Sequence, residues 1–96
     1  MFKTIQIHYC LKSPGGNYAA VTNYIKSFPG YAHVHESLWF VNTNKTASDV
    51  RDELNRIVRV GDRVIVLDVT GDWWATNFTD GTTGWMQNNM GTQLAA

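Results

Sequence analysis

The chain has 96 residues, eight basic and eight acidic side chains, a formal net charge of zero, and apolar and charged fractions of 44% and 17%. That composition describes one folded domain and excludes a disordered chain; zero net charge excludes a broad attraction to phosphate or anionic lipid and leaves only local patches. The single cysteine excludes an internal disulfide, and no apolar run approaches the roughly 20 residues of a membrane-spanning helix. With no basic-then-apolar leader pattern, the expected setting is the cytoplasm, without a membrane partner. Four tryptophans, four tyrosines and four phenylalanines favour a core and interfaces built on aromatic burial.

Lys3 to Leu11 alternates, with Ile5, Ile7 and Tyr9 on one face and Thr4, Gln6, His8 and Cys10 on the other, which predicts a first strand. Ser13-Pro14-Gly15-Gly16-Asn17 reads as a turn, with Asn17 as a helix N-cap. Tyr18, Val21, Tyr24, Ile25 and Phe28 recur at helical spacing, predicting a helix over 18–28 that Pro29-Gly30 stops. "YAHVHESLWFVNT" has the length of two short strands, at about 31–36 and 37–43, reversing at Glu36-Ser37. Thr46 caps a second helix, with Asp49 completing a capping box and Val50, Leu54, Ile57 and Val58 as its apolar face. Asp52 and Arg56 are spaced i,i+4 on the solvent side of that helix. Gly61-Asp62 is a turn, and the β-branched run from Arg63 to Val69 is a strand. Residues 71–96 form a Trp-rich extension beyond a core of about 3–70, with a short helix expected over 83–90 and a frayed end.

The order strand, helix, strand, strand, helix, strand specifies a ferredoxin-like α+β sandwich, a four-stranded antiparallel sheet with both helices on one face. Right-handed crossovers place the strands in the order fourth, first, third, second. The third and fourth strands are apolar on both faces (Leu38, Trp39, Phe40 and Val41; Val64, Ile65, Val66 and Leu67), so the helix-free face also needs cover. The expected cover is the Trp-rich extension and a second copy of the chain. His8, Cys10, Trp39, Trp73 and Trp74 are the dimer-face candidates.

Four motifs carry a family resemblance over about residues 3–90: Tyr9 at the strand end with Pro14-Gly15 and Asn17-Tyr18 following; "HVHESLWFVNT"; "TASDVRDEL"; and "GDRVIVLDVTGDWW". In these the chain resembles the small ferredoxin-like proteins related to the second CRISPR-associated adaptation protein. It resembles more closely the SinR-family proteins grouped with them. The resemblance implies a homodimer that acts either as a metal-dependent nuclease, using Mg or Mn, or as a structural adapter holding nucleic acid for a protein partner. Ribonuclease toxins of similar fold form a further branch. In these relatives an Asp follows the strand-end Tyr as the metal ligand, and here that position matches Cys10. A thiol is a poor ligand for hard Mg²⁺, so the resemblance is expected to carry the scaffold and the adapter role without a cofactor.

The residues offer four further candidate groups. His33, His35, His8 and Cys10 are ligand types that suit zinc, with His33 and His35 spaced i,i+2 to share a strand face; interface packing is the plainer reading. Asp68, expected near Gln6 or His8, and Glu36 at the reversal are the candidate acid–base groups of a nuclease with a rearranged site. Arg56, Arg59 and Arg63, with Lys12, are the candidate phosphate patch, set against a solvated, salt-bridged helix face. Trp73, Trp74 and Trp85 can stack on bases or cover the open sheet face.

Overall fold

The computed structural model describes residues 3–12, 18–70, 84–86 and 88. Its elements run β1 (Lys3–Cys10), α1 (Tyr18–Ile25), β2 (Gly30–His35), β3 (Leu38–Thr43), α2 (Ala47–Asn55) and β4 (Arg63–Asp68). The result is a small α+β domain with a four-stranded antiparallel sheet ordered β2-β3-β1-β4, a loosely ferredoxin-like arrangement in the strand order that the sequence predicts.

Alternation on β1 decides which face is covered. Ile5 and Ile7 are fully buried and Tyr9 nearly so, and they pack with Val21 and Ile25 of α1, Val50 and Leu54 of α2, and Trp39 and Val41 of β3. Val64 and Val66 of β4 close this helix-side core. Register keeps the faces in phase: Ile7 lies between Trp39 on β3 and Val66 on β4, and His8 between Leu38 and Ile65. A one-residue slip would invert every side chain, so the buried face pins the pairing.

α1 is shorter than the predicted 18–28. After Ile25 the chain tightens into i→i+3 bonds, Ser27 N–H to Tyr24 O (3.0 Å) and Phe28 N–H to Ile25 O (3.2 Å), ahead of Pro29, which cannot continue the helix. Phe28 still packs into the core from this turn. The predicted 13–17 turn with its Asn17 cap lies outside the described residues. α2 opens as predicted, because Thr46 Oγ1 accepts from the Asp49 N–H (3.1 Å) while Asp49 Oδ2 accepts from the Thr46 N–H (3.2 Å). On its solvent side Asp52 pairs with Arg51 (Nε–Oδ1 2.7 Å) in place of the expected Arg56.

The helix-free face is partly covered by the C-terminal segment. Met86 is buried with Phe40, Trp85 stacks on Phe40 at 6.2 Å, and Val34 and Val69 complete this second cluster. The helical residues 84–86 and 88 fall inside the predicted 83–90. Trp73 and Trp74 lie outside the described residues. Ile65 and Leu67 of β4 remain 58% and 47% exposed on the same face.

One polar network ties both helices to the loop before α2. Tyr24 Oη donates to Glu53 Oε1 (2.6 Å), Lys45 Nζ binds both Glu53 oxygens at 2.8 Å, and Lys45 lies over the Phe28 ring. The Lys45 ammonium, then the Tyr24 hydroxyl, hold the Glu53 carboxyl below its ordinary 4.5. Burial, then donation to Glu53, push the Tyr24 hydroxyl well above the usual tyrosine range. A carboxylate with a depressed folded pKa stabilises above its unfolded value, and that contribution disappears as pH falls through the lowered folded value. Glu53→Gln is therefore expected to flatten the loss of stability below about pH 4.5 relative to the native chain, read by urea unfolding across the acid range. Thr46→Ala is expected to cost about 1 kcal/mol in the same assay.

Candidate functional site

The C-terminal end of β1 opens into a cleft of about 490 Å³ lined by His8, Tyr9, Cys10, Tyr18, Glu36 and Ser37. Three elements build it. β1 supplies His8 and Cys10, both exposed, from its helix-free face. α1 supplies Tyr18, half-exposed, whose ring is tilted against Tyr9 at 6.2 Å. The β2–β3 reversal supplies Glu36 and Ser37 and is tied to β1 by the Tyr9 N–H donating to Ser37 O (3.2 Å).

The reversal has a particular geometry. The β2–β3 register shifts between His33 and His35, the mark of a bulge, and Glu36 takes a positive φ of 26°. His33 stacks on Trp39 at 4.1 Å with ring planes 3° apart, and its Nε2 sits 2.6 Å from Glu36 O. A carbonyl only accepts, so that nitrogen carries the proton and donates, pinning the turn.

The bulge corrects one sequence expectation. His33 lies opposite Trp39 and His35 opposite Leu38, neighbours on β3 that face opposite ways, so the two histidines do not share a face. His35 and His8 both lie opposite Leu38, from either side of β3, two strand spacings or about 9.5 Å apart. Among the described residues no three His, Cys, Asp or Glu side chains are grouped to hold a metal ion. The hard cation implied by the family resemblance does not fit Cys10 with these neighbours.

Asp68 is also placed differently from expectation. It lies opposite Ile5, on the helix-side face, while His8 lies opposite Ile65 on the other face. Its Oδ1 accepts from the Thr70 N–H (3.0 Å), and Thr70, through that N–H and then its side chain, holds the carboxyl below the usual range. The expected Asp68–His8 proximity is not formed, whereas Glu36 and His8 line one cleft. Trp39 is likewise removed from the dimer-face candidates: it is 4% exposed, opposite Ile7 in the helix-side core, with its Nε1 3.4 Å from Tyr9 Oη.

The basic candidates divide into two places. Arg56 caps α2 and lines a recess with Lys45, Asp49, Asp52 and Glu53, an acidic setting. Lys12, Arg59 and Arg63 gather at the end of the sheet that carries the cleft. The organiser is Asp62, whose Oδ1 accepts from the Lys12 N–H (2.8 Å) and Oδ2 from the Arg59 N–H (2.9 Å). Arg63 follows next in sequence, opposite Cys10. Among the described residues the ion pairs are Lys45–Glu53 and Arg51–Asp52, so the side chains of Lys12, Arg59 and Arg63 stay outside them and are exposed. In the sequence Asp62 reads as a turn residue and as one of the acids interleaved with the arginines. Its position beside Gly61, at φ 93°, hints at a turn, but the distant Lys12 partner has no sequence signal.

No family model, curated protein or solved structure matches the chain. The site therefore rests on its own geometry. Asp62→Ala removes both acceptors of the staple and is expected to cost about 1–2 kcal/mol by denaturant unfolding, more than an ordinary surface substitution.

Proposed function

We propose that the chain is a small homodimeric adapter that holds nucleic acid by its phosphates at the cleft end of the sheet and does not cleave it. The observation that carries this reading is the Asp62 staple, which brings Lys12 and Arg59 to one edge beside Arg63 and leaves their side chains exposed. Guanidinium and ammonium groups so placed suit phosphate oxygens, and because the chain as a whole has zero net charge the attraction would come from this local patch. Tyr18 and His8, exposed in the adjoining cleft, offer ring faces to an unpaired base.

The family resemblance to the CRISPR-associated adaptation proteins and the SinR-family proteins supports the same reading. It supplies the ferredoxin-like assignment, the homodimer and the adapter role, with Cys10 in place of the acid. A protein partner acting on the held nucleic acid belongs to this reading.

The test is binding of labelled single-stranded and duplex RNA and DNA by the purified chain across a salt series. Lys12→Ala and Arg63→Ala are each expected to weaken binding across sequences and lower the salt slope by about 1. Binding that ignores both substitutions would refute the phosphate patch. The same samples with Mg²⁺ or Mn²⁺ are expected to stay intact. Cleavage abolished by His8→Ala or Glu36→Gln would replace the adapter reading with a nuclease whose site is rearranged.

A further inference from the structure

We infer that β4 is the edge through which two copies join, antiparallel, about a two-fold axis at Val66, giving one continuous eight-stranded sheet. This rests on the homodimer reading above and names its surface. Among the described residues the two edges of the sheet are β2 and β4. β2 is interrupted by the bulge at His33/His35, a device that twists an edge away from new partners. β4 pairs with β1 in unbroken register and has neither lysine nor proline. The Val69 N–H donates to Thr4 O (2.9 Å), which sets the phase of the ladder. Arg63, Ile65 and Leu67 then spend their main-chain groups on β1, while Val64, Val66 and Asp68 turn theirs to the open edge.

The strand RVIVLD is a fit partner for itself. Arg63 and Asp68 stand at its two ends on opposite faces, so a parallel pair would set each beside its own like charge, and an antiparallel pair keeps the like charges apart. Of the registers that keep the faces in phase, those centred on Ile65 and on Val66 overlap the strand most fully. Centred on Ile65, the pairing sets Asp68 of one copy opposite Asp62 of the other, a like-charge pair. Centred on Val66, it sets exposed Ile65 opposite Leu67 of the second copy, twice, forming an apolar row on the helix-free face. It also pairs all three outward-turned residues, adding on the order of six hydrogen bonds. This continues the alternation of the sheet across the axis and leaves the Lys12, Arg59 and Arg63 ends of the two copies available to one nucleic acid.

Light scattering on the full chain at micromolar concentration is expected to give about twice the 10.8 kDa chain mass. Ile65→Lys and Leu67→Lys are expected to halve that mass with circular dichroism unchanged, and Val60→Lys, at a fully exposed turn position, to leave it dimeric. A native monomer would overturn both the homodimer reading and this inference. A native dimer that survives both lysine variants would overturn the β4 edge alone. Hydrogen exchange on the native chain provides a test that needs no variant. The Val64, Val66 and Asp68 amides are expected to be protected in the dimer and to lose protection on dilution to monomer. Rapid exchange in the dimer, or protection that persists in the monomer, would overturn the β4 edge.

Discussion

β1 is paired along its length on both sides, to β3 and to β4, and its Ile5 and Ile7 are wholly buried beneath the two helices. Because side chains alternate along a strand, that burial consigns Thr4, Gln6, His8 and Cys10 to the opposite face. The rest of the molecule follows from this division. Both helices cover one face, with Val21, Ile25, Val50 and Leu54 against β1 and β3. The other face is managed piecemeal. Thr4 is satisfied by Asn42 and Thr70, Phe40 is covered by Trp85 and Met86, and Ile65 and Leu67 stay exposed.

The two ends of the sheet have different chemistry. The end at Thr4 is a hydrogen-bonded polar group of Thr4, Asn42, Asp68 and Thr70, in which Asp68 is occupied by a main-chain donor. The end at Cys10 is open, with a cleft bearing His8, Glu36 and Tyr18 and a rim bearing Lys12, Arg59 and Arg63. The two ends are held by the same device, a short side chain accepting main-chain N–H groups, but with opposite consequences. At Asp68 the carboxylate satisfies its own strand end. At Asp62 it joins residues fifty apart in sequence and orders a basic edge.

The edge strand and the basic edge suit the proposed adapter together. Extending the sheet through β4 would place two basic ends in one assembly, and doubling a weak phosphate contact raises avidity without any new chemistry. The histidines fit a structural part in the same scheme. His33 packs flat on Trp39 and pins the reversal that shapes the cleft, which explains its place in a strand better than a ligand role does.

By itself the sequence determined the element order, the buried face of β1, the Thr46–Asp49 cap, the reversal at Glu36-Ser37 and the strand order. Each depends on local periodicity, on turn chemistry, or on the short list of ways to connect such elements, all of which are written along the chain. Only the tertiary structure decided the fate of the candidate site residues. A bulge separates His33 from His35, register separates Asp68 from His8, Trp39 turns to the helix-side core, and Asp62 reaches across to Lys12. These depend on which residue stands opposite which across strands and loops. That pairing is set by the summed packing of the buried face and leaves no mark at the positions it rearranges.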